Sequence, residues 1–240
     1  MENTVETKRK QRNWLKGFLG ALGVAAVLTI AVTAWSFFKP TQAASGPVEA
    51  VAIETTVAET TTATVYTLSS EGSEARFLID EVLRGDDVTV IGTTDQVAAE
   101  LSFDLNDAST AQLGTVLVNV RDLATDSEFR DRAIKNQILL TDAYEYVSFT
   151  PTDISGLPES VSEGDTFEVE IAGDLTITDA TLPVTFDAVV SATAADELTG
   201  TATTTFTYAD FGLEIPFSQS VDAVADTVTL ELDFTAQAQS

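Results

Sequence analysis

The sequence predicts a mainly β protein in which about eight antiparallel strands are interrupted by one short helix and preceded by one transmembrane helix. Segments with a hydrophobic period of two recur about every eight to fifteen residues from Val65 onward. One charged amphipathic segment breaks that pattern after Arg121, and one uncharged apolar run lies near the start of the chain. Strands with one apolar and one acidic face are typical of a closed barrel or a two-sheet sandwich.

The predicted strands alternate apolar residues with Thr, Asp or Glu. Successive side chains of a strand point to opposite faces, so the apolar positions face the core and the acidic positions face water. An eight-stranded barrel is either just filled by its own side chains or holds one small ligand. The clearest strand patterns lie in residues 75–80, 88–92, 100–105, 116–120, 167–171, 175–177, 184–187, 200–208 and 228–234.

The segment 121–154 changes from strand chemistry to a short helix and back to a strand. Asp126 or Ser127 can cap this helix, because a short polar side chain satisfies its first backbone N–H groups. We expect the helix to lie across one end of the barrel, with its apolar face inward. It is then either a lid over an internal cavity or a plug for a filled core. The apolar face consists of Phe129, Ala133, Ile134 and Ile138.

The chain contains no Cys and no His, which excludes thiolate chemistry, disulfides, Cys/His zinc sites and a Ser-His-Asp triad. The acidic residues of the helical segment alternate with Arg121, Arg130 and Arg132, which favours ion pairs on a solvated helix over a carboxylate site. We therefore expect no catalytic residue, no metal site and no cofactor, and predict that the protein is not an enzyme. These acidic residues are Asp122, Asp126, Glu128 and Asp131.

The charge of the chain is divided unevenly. From residue 40 onward there are six basic and 36 acidic residues, so the net charge of this part is −30. Nucleic-acid binding depends on Lys and Arg that neutralise phosphates. We therefore expect no nucleic-acid partner and a highly solvated, association-resistant surface.

The first 63 residues predict export and membrane attachment. Residues 1–13 are predicted as a basic cytoplasmic tail, 14–38 as a transmembrane signal-anchor and 39–63 as a flexible Thr/Ala/Glu linker. The uncharged run 17–38 reaches about 33 Å as a helix, enough to cross the hydrocarbon core. A cleaved signal peptide with its site before Ala44 is the alternative. Either way, residues 64–240 are expected outside the cytoplasm, on a single-pass protein of the cell membrane if the anchor is kept.

The apolar inward positions form the candidate binding site. The set contains no polar or titratable residue, so an apolar tunnel is a consistent interpretation, and an ordinary filled core is the other. The candidate ligand-binding residues are Phe77, Ile79, Leu101, Phe103, Val118, Phe129, Ile134, Ile138, Phe149, Phe167, Val169, Ile171, Ile177, Phe186, Phe206 and Phe211.

Several motifs, in matching order and spacing, resemble the YceI-like family over about residues 65–236. They are Arg121-Asp122 with Phe129, the segment 144–149 (YEYVSF), the segments 173–177 (GDLTI) and 182–186 (LPVTF), and 208–212 (YADFG). The resemblance implies a lipocalin-like barrel that encloses a prenyl chain or another long apolar lipid. Many relatives carry a His in the first strand region, which this chain lacks.

The expected function is that of a membrane-tethered extracytoplasmic binding protein that holds a polyisoprenoid-like or fatty lipid for storage or transport. The partners expected are this lipid and the membrane, and a homodimer stays open. The alternative is a surface-exposed structural or interaction domain with a filled core and no ligand.

Overall fold

The computed structural model of the chain describes residues 39–53 and 63–239, and residues 41–240 form one compact unit. The predicted cytoplasmic tail and signal-anchor, as well as residues 54–62 of the predicted linker, lie outside the described residues. No helix of the described part is long and apolar enough to cross a membrane.

The described residues contain twelve strands, and every strand pair is antiparallel. They are β1 (Thr64–Leu68), β2 (Glu74–Leu83), β3 (Asp86–Thr94), β4 (Val97–Phe103), β5 (Gln112–Leu113), β6 (Val116–Asn119), β7 (Tyr146–Ser155), β8 (Thr166–Ile177), β9 (Ala180–Ala194), β10 (Glu197–Thr207), β11 (Val221–Val224) and β12 (Thr227–Ala238).

Eight of these strands form a closed barrel. The ladder runs β1-β4-β6-β7-β8-β9-β10-β12, and β12 then pairs with β1 through Tyr66↔Ala238 and Leu68↔Ala236. A ladder that returns to its first strand is a barrel and not a sandwich. The prediction of a mainly β, eight-stranded antiparallel barrel is therefore confirmed.

A three-stranded extension continues the wall at one end. Strand β2 pairs with β12, β3 and β11, beyond the part of β12 that pairs with β1. Arg84 and Gly85 connect β2 to β3, with φ angles of 55° and 88°. A two-residue hairpin turn with two positive φ angles follows the twist of the flanking strands, and glycine adopts the second angle without strain.

The strand directions assign every connection to one of two ends. Strands β2, β6, β8 and β10 all run toward the end that holds the β2–β3 turn. That end also holds the segment 120–145, the turn at 178–179 and the segment 208–226, and we call it the lid end. The opposite end holds the loops 104–115 and 156–165 and the turn at 195–196, and we call it the plugged end.

The plugged end is closed by packed side chains. Ala108 and Val161, one from each of its two loops, are 0% and 6% exposed and belong to the main core cluster. The loops are joined by backbone hydrogen bonds from Ala108 to Glu159 (3.2 Å) and from Val161 to Leu105 (2.8 Å). The two loops therefore pack into the core and against each other at this end.

A helix lies in the segment 120–145 at the lid end, where the sequence predicts one. Its first part is α1 (Glu128–Ala133), and it continues as one π-helical turn, Ile134–Ile138. We call residues 128–138 the lid helix. Ser127 is at the N-cap position, but its side chain makes no capping hydrogen bond.

The first described segment lies against the barrel. We call residues 41–53 the strap. Ser45 donates hydrogen bonds to Glu145 through its backbone N–H (2.7 Å) and its hydroxyl (2.6 Å), at the lid end. Farther along, the Ile53 N–H donates to the Glu100 carboxylate on β4 (2.8 Å). This part of the predicted linker thus contacts the domain that it precedes.

Candidate functional site

The inward side chains of β9 differ in burial along the strand. At the plugged end Ala192 is 0% exposed and Val190 is 9% exposed. Toward the lid end Val184 and Leu182 are only half-buried, although they belong to the inward row that packs against the core. On the neighbouring strand β8, by contrast, Leu175 and Ile177 at the same end are 2% and 4% exposed. The inward residues of the lid end are therefore partly exposed on β9 and buried on β8.

Three phenyl rings lie flat against the barrel wall, because a glycine on a paired strand lies beside each ring. A Cβ at Gly173 would lie 2.6 Å from the Phe149 ring, closer than real Cβ atoms approach. Phe77 covers Gly92 in the same way, and Phe234 covers Gly200. Glycine provides room for the ring beside the backbone, so the ring takes up less of the space at the centre of the barrel.

The lid helix is held to the barrel on both sides. Before it, Ala124 and Thr93 on β3 exchange backbone hydrogen bonds of 2.9 and 3.0 Å. After it, the Arg121 guanidinium donates to the carbonyl oxygens of Thr141 (2.9 Å) and Asp142 (3.2 Å). The segment that covers this end is therefore fixed at its entry and at its exit.

An ion pair joins the lid helix to the wall. The Arg130 guanidinium lies 2.8 Å from the Glu81 carboxylate, whose side chain is 8% exposed, and it also contacts Asp126. Glu81 continues the inward row of Phe77 and Ile79 on β2. A buried carboxylate is costly unless paired, so Arg130 compensates the one acidic group found on this inward row.

A second carboxylate organises the base of the lid. Glu145 accepts hydrogen bonds from Ser45 and from Asn119 (2.8 Å), and its other oxygen lies 2.8 Å from Arg121. Burial alone raises the pKa of Glu145, but the hydrogen bonds from Ser45 and Asn119 and the Arg121 charge outweigh it and hold this pKa below its ordinary value. The carboxylate stays ionised at neutral pH and ties the strap to the lid end.

Thirteen of the sixteen predicted site residues occupy inward positions or the core, as predicted. Phe77 and Ile79 share the face of Leu230 and Val90, and the others belong to the two core clusters or pack against them. Their contact with a ligand stays a prediction. These others are Leu101, Phe103, Val118, Phe149, Phe167, Val169, Ile171, Ile177, Phe186, Phe206 and Phe211.

The lid helix agrees with the prediction only in part. Ile134 is 7% exposed and Ile138 is half-buried, but Phe129 is 65% exposed, so its predicted inward orientation is wrong. The predicted face assumes one uninterrupted α-helix. A π-helical turn begins at Ile134 and changes the number of residues per turn. The Phe129 ring lies beside Arg132 instead, with the guanidinium 5.9 Å from the ring centre.

The charged residues of the lid helix pair as the sequence predicts. Arg130 pairs with Asp126, and Arg132 lies 3.6 Å from Glu128, each pair four residues apart. Within the described ranges, no three acidic side chains come together as a metal site would require. A groove of about 730 Å³ lies outside the barrel, over β8, β9 and β10, and is lined by Glu168, Glu170, Asp187 and Thr201 among others.

Sequence comparison agrees with this architecture. The family model of the YceI-like domain matches residues 66–236. The chain belongs to the YceI-like family. The match covers the barrel from β1 to β12, including the lid helix. No curated protein sequence matches the chain.

Three solved structures share the fold at low sequence identity. A polyisoprenoid-binding domain from Saccharophagus degradans, implicated in plant cell wall breakdown, aligns with a TM-score of 0.59 at 14% identity over 73% of this chain and 99% of its own. BcnA of Burkholderia cenocepacia aligns with a TM-score of 0.57 at 16% identity, over 71% and 99%. The Campylobacter jejuni YceI protein aligns with a TM-score of 0.51 at 16% identity, over 62% and 85%.

Proposed function

We propose that the barrel holds one long apolar lipid, polyisoprenoid-like or fatty, for storage or transport. The observation that carries this proposal is the inward row of β9, which is buried at the plugged end and half-buried from Phe186 to Ala180. Partly exposed apolar side chains on the inward face of this strand fit a chain that enters from the lid end. The polyisoprenoid-binding domain of the same fold is consistent with this ligand class.

The chemistry of the interior favours an uncharged chain over a charged ligand. Each buried methylene contributes about 0.8 kcal/mol, so a tail of ten or more carbons binds without any charged contact. Glu81, the acid on the inward row of β2, is already paired with Arg130. The ligand therefore needs only apolar surface, and we propose a binding protein and not an enzyme.

We also propose that the predicted signal-anchor keeps the barrel on the membrane, with the N-terminus in the cytoplasm. The support is the uncharged run 17–38, preceded by Lys8, Arg9, Lys10 and Arg12. The barrel is then extracytoplasmic. Its acidic outer face keeps it soluble beside the bilayer.

Native mass spectrometry of the full chain, purified in a mild detergent, tests the lipid proposal. We expect a bound mass that organic extraction recovers as a hydrocarbon-chain lipid. Val184→Trp fills the half-buried part of β9 and is expected to abolish co-purification. Val189→Trp, on the outer face of the same strand and 45% exposed, is the matched control and retains the lipid.

A ligand-free chain of full stability would instead favour an interaction domain with a filled core. Equal lipid retention by the two tryptophan variants would also contradict the proposal, because Val189 does not face the interior.

A further inference from the structure

The exposed large hydrophobic side chains of the described residues concentrate at the lid end. Phe217 is 89% exposed and Ile215 is 36% exposed, both in the loop between the 3-10 turn Tyr208–Phe211 and β11. Phe129 on the lid helix is 65% exposed, and Leu140 after it is 45% exposed. The plugged-end loops 104–115 and 156–165 present no exposed large hydrophobic residue. Solvation of a phenyl ring is unfavourable, and this concentration of exposed apolar side chains at one end favours an interaction surface there.

The loop that carries Phe217 is attached to the wall. The Arg84 N–H donates to the Ser220 carbonyl (3.1 Å), and the Gly85 N–H donates to the Asp222 carboxylate (2.9 Å). These two hydrogen bonds join the C-terminal end of the loop and the start of β11 to the β2–β3 turn. The loop that carries Phe217 therefore ends at the rim of the barrel, beside the β2–β3 turn.

The charges at this end also differ from those of the remaining surface. Five of the six basic residues found from residue 40 onward lie at the lid end, and Arg76 on β2 is the exception. Acidic residues such as Asp86, Asp87 and Asp122 lie there as well, so this end is not a polycation. A surface of exposed phenyl rings with both signs of charge fits a zwitterionic lipid headgroup layer better than a strongly anionic one. The five are Arg84, Arg121, Arg130, Arg132 and Lys135.

The length of chain between the proposed anchor and the barrel favours this end as the one that reaches the membrane. Ser45 is held at the lid end by Glu145 and lies 3.1 Å from Arg121. The predicted anchor ends at Phe38, and seven extended residues span at most about 25 Å. A barrel attached through Ser45 therefore keeps its lid end, and not its plugged end, within that distance of the bilayer.

We propose that the lid end docks on the surface of the bilayer that holds the anchor, with Phe217, Ile215 and Phe129 at the headgroup layer. The inference rests on the proposed tether and names the surface from which the barrel exchanges its lipid. A lipid that moves directly between bilayer and barrel avoids exposing its chain to water.

Site-specific fluorescence on the full chain in phosphatidylcholine vesicles tests the docking. The natural chain has no cysteine, so Phe217→Cys and Glu163→Cys each give one labelling site, at the lid end and in a plugged-end loop. With an environment-sensitive dye, we expect blue-shifted emission at 217 that a lipid-borne quencher reduces. The label at 163 is expected to show neither effect.

Flotation of the same vesicles separates the two proposals. A chain that does not float overturns the tether, and the docking with it. A chain that floats while label 217 behaves like label 163 overturns the docking and leaves the tether standing. A blue shift at 217 that grows with protein density and resists the lipid quencher assigns the surface to a second copy of the chain, which also overturns the docking.

A second variant avoids substituting the labelled residue. With the dye on Leu140→Cys, the double substitution Ile215→Ser/Phe217→Ser is expected to reduce lipid quenching to the level found at position 163. Val189→Ser, an equally apolar exposed site away from both ends, is the control and leaves the quenching unchanged. Unchanged quenching in the Ile215/Phe217 variant would overturn the assignment of that loop to the docking surface.

Discussion

At the plugged end of the barrel Leu198 and Ala192 are inaccessible to solvent, whereas at the lid end Leu182, on the same strand as Ala192, is only half-buried. Two loops pack into the core at the first end, and a six-residue α-helix with one π turn lies at the second. On the neighbouring strand, Leu175 and Ile177 at the lid end are 2% and 4% exposed, so the two ends differ along β9 and in the segments that close them, and not in every strand. Packed apolar side chains hold the plugged end, and polar contacts hold the lid.

The largest expected effect comes from the same substitution at the two ends. Leu198→Ala removes a fully buried side chain and is expected to cost about 2–5 kcal/mol of unfolding free energy. Leu182→Ala is expected to cost about 1 kcal/mol, since its side chain is buried only in part. Urea unfolding of the lipid-free chain measures both, and equal losses would contradict the contrast between the ends.

The next effect concerns the ion pair of the lid. Arg130→Met leaves Glu81 buried without its partner and is expected to cost about 1–3 kcal/mol. Asp126→Asn removes only the exposed partner of the same guanidinium and is expected to cost less than about 0.5 kcal/mol. Hydrogen exchange of residues 128–138 should rise in the first variant alone. If both variants behave alike, the pair with Glu81 does not hold the lid.

A smaller effect is expected at Gly92, whose missing side chain leaves room for the Phe77 ring. Gly92→Ala should cost about 1 kcal/mol and push the ring toward the interior, because the ring can move whereas the backbone cannot. Lipid co-purification should fall. The double variant Gly92→Ala/Phe77→Leu should restore it, and Gly46→Ala, where a Cβ meets nothing within 4 Å, is the neutral control.

The smallest effect is the pH dependence of the strap. The pKa of Glu145 is lower in the folded protein than its ordinary value of 4.5, so this carboxylate stabilises the fold above that value. The contribution is lost as the pH falls through the lowered pKa. Glu145→Gln should therefore lower the melting temperature at pH 7 and have less effect near pH 3. A variant that lowers the melting temperature equally at both pH values would show that ionisation of Glu145 plays no part.

The sequence predicts the barrel because each strand shows its alternation locally. Phe167, Val169 and Ile171 are inward because they lie two residues apart, and no distant contact is needed to see it. The barrel closes by pairing β1 with β12, which are far apart in the sequence. Alternation alone therefore does not distinguish a barrel from a sandwich.

The sequence predicts the polar residues of the site only in part. Glu81 follows Phe77 and Ile79 at the same spacing, so extending the β2 pattern beyond Asp80 identifies it as inward. Its partner Arg130 comes from a segment 49 residues away, and no local signal pairs the two. At Phe129 the sequence predicts an inward side chain that the structure does not show. The prediction assumes regular α-helical spacing, and the π turn after Ala133 interrupts that spacing.

The pairing of β1 with β12 also determines when the chain can fold. The Gln239 side chain donates a hydrogen bond to Thr67, which lies 172 residues earlier. A barrel that closes by pairing its first strand with its last has a high contact order, and this closure forms late in folding. During synthesis such a barrel therefore stays open until β12 is available, and the backbone edges of β1 and β12 stay unpaired until then.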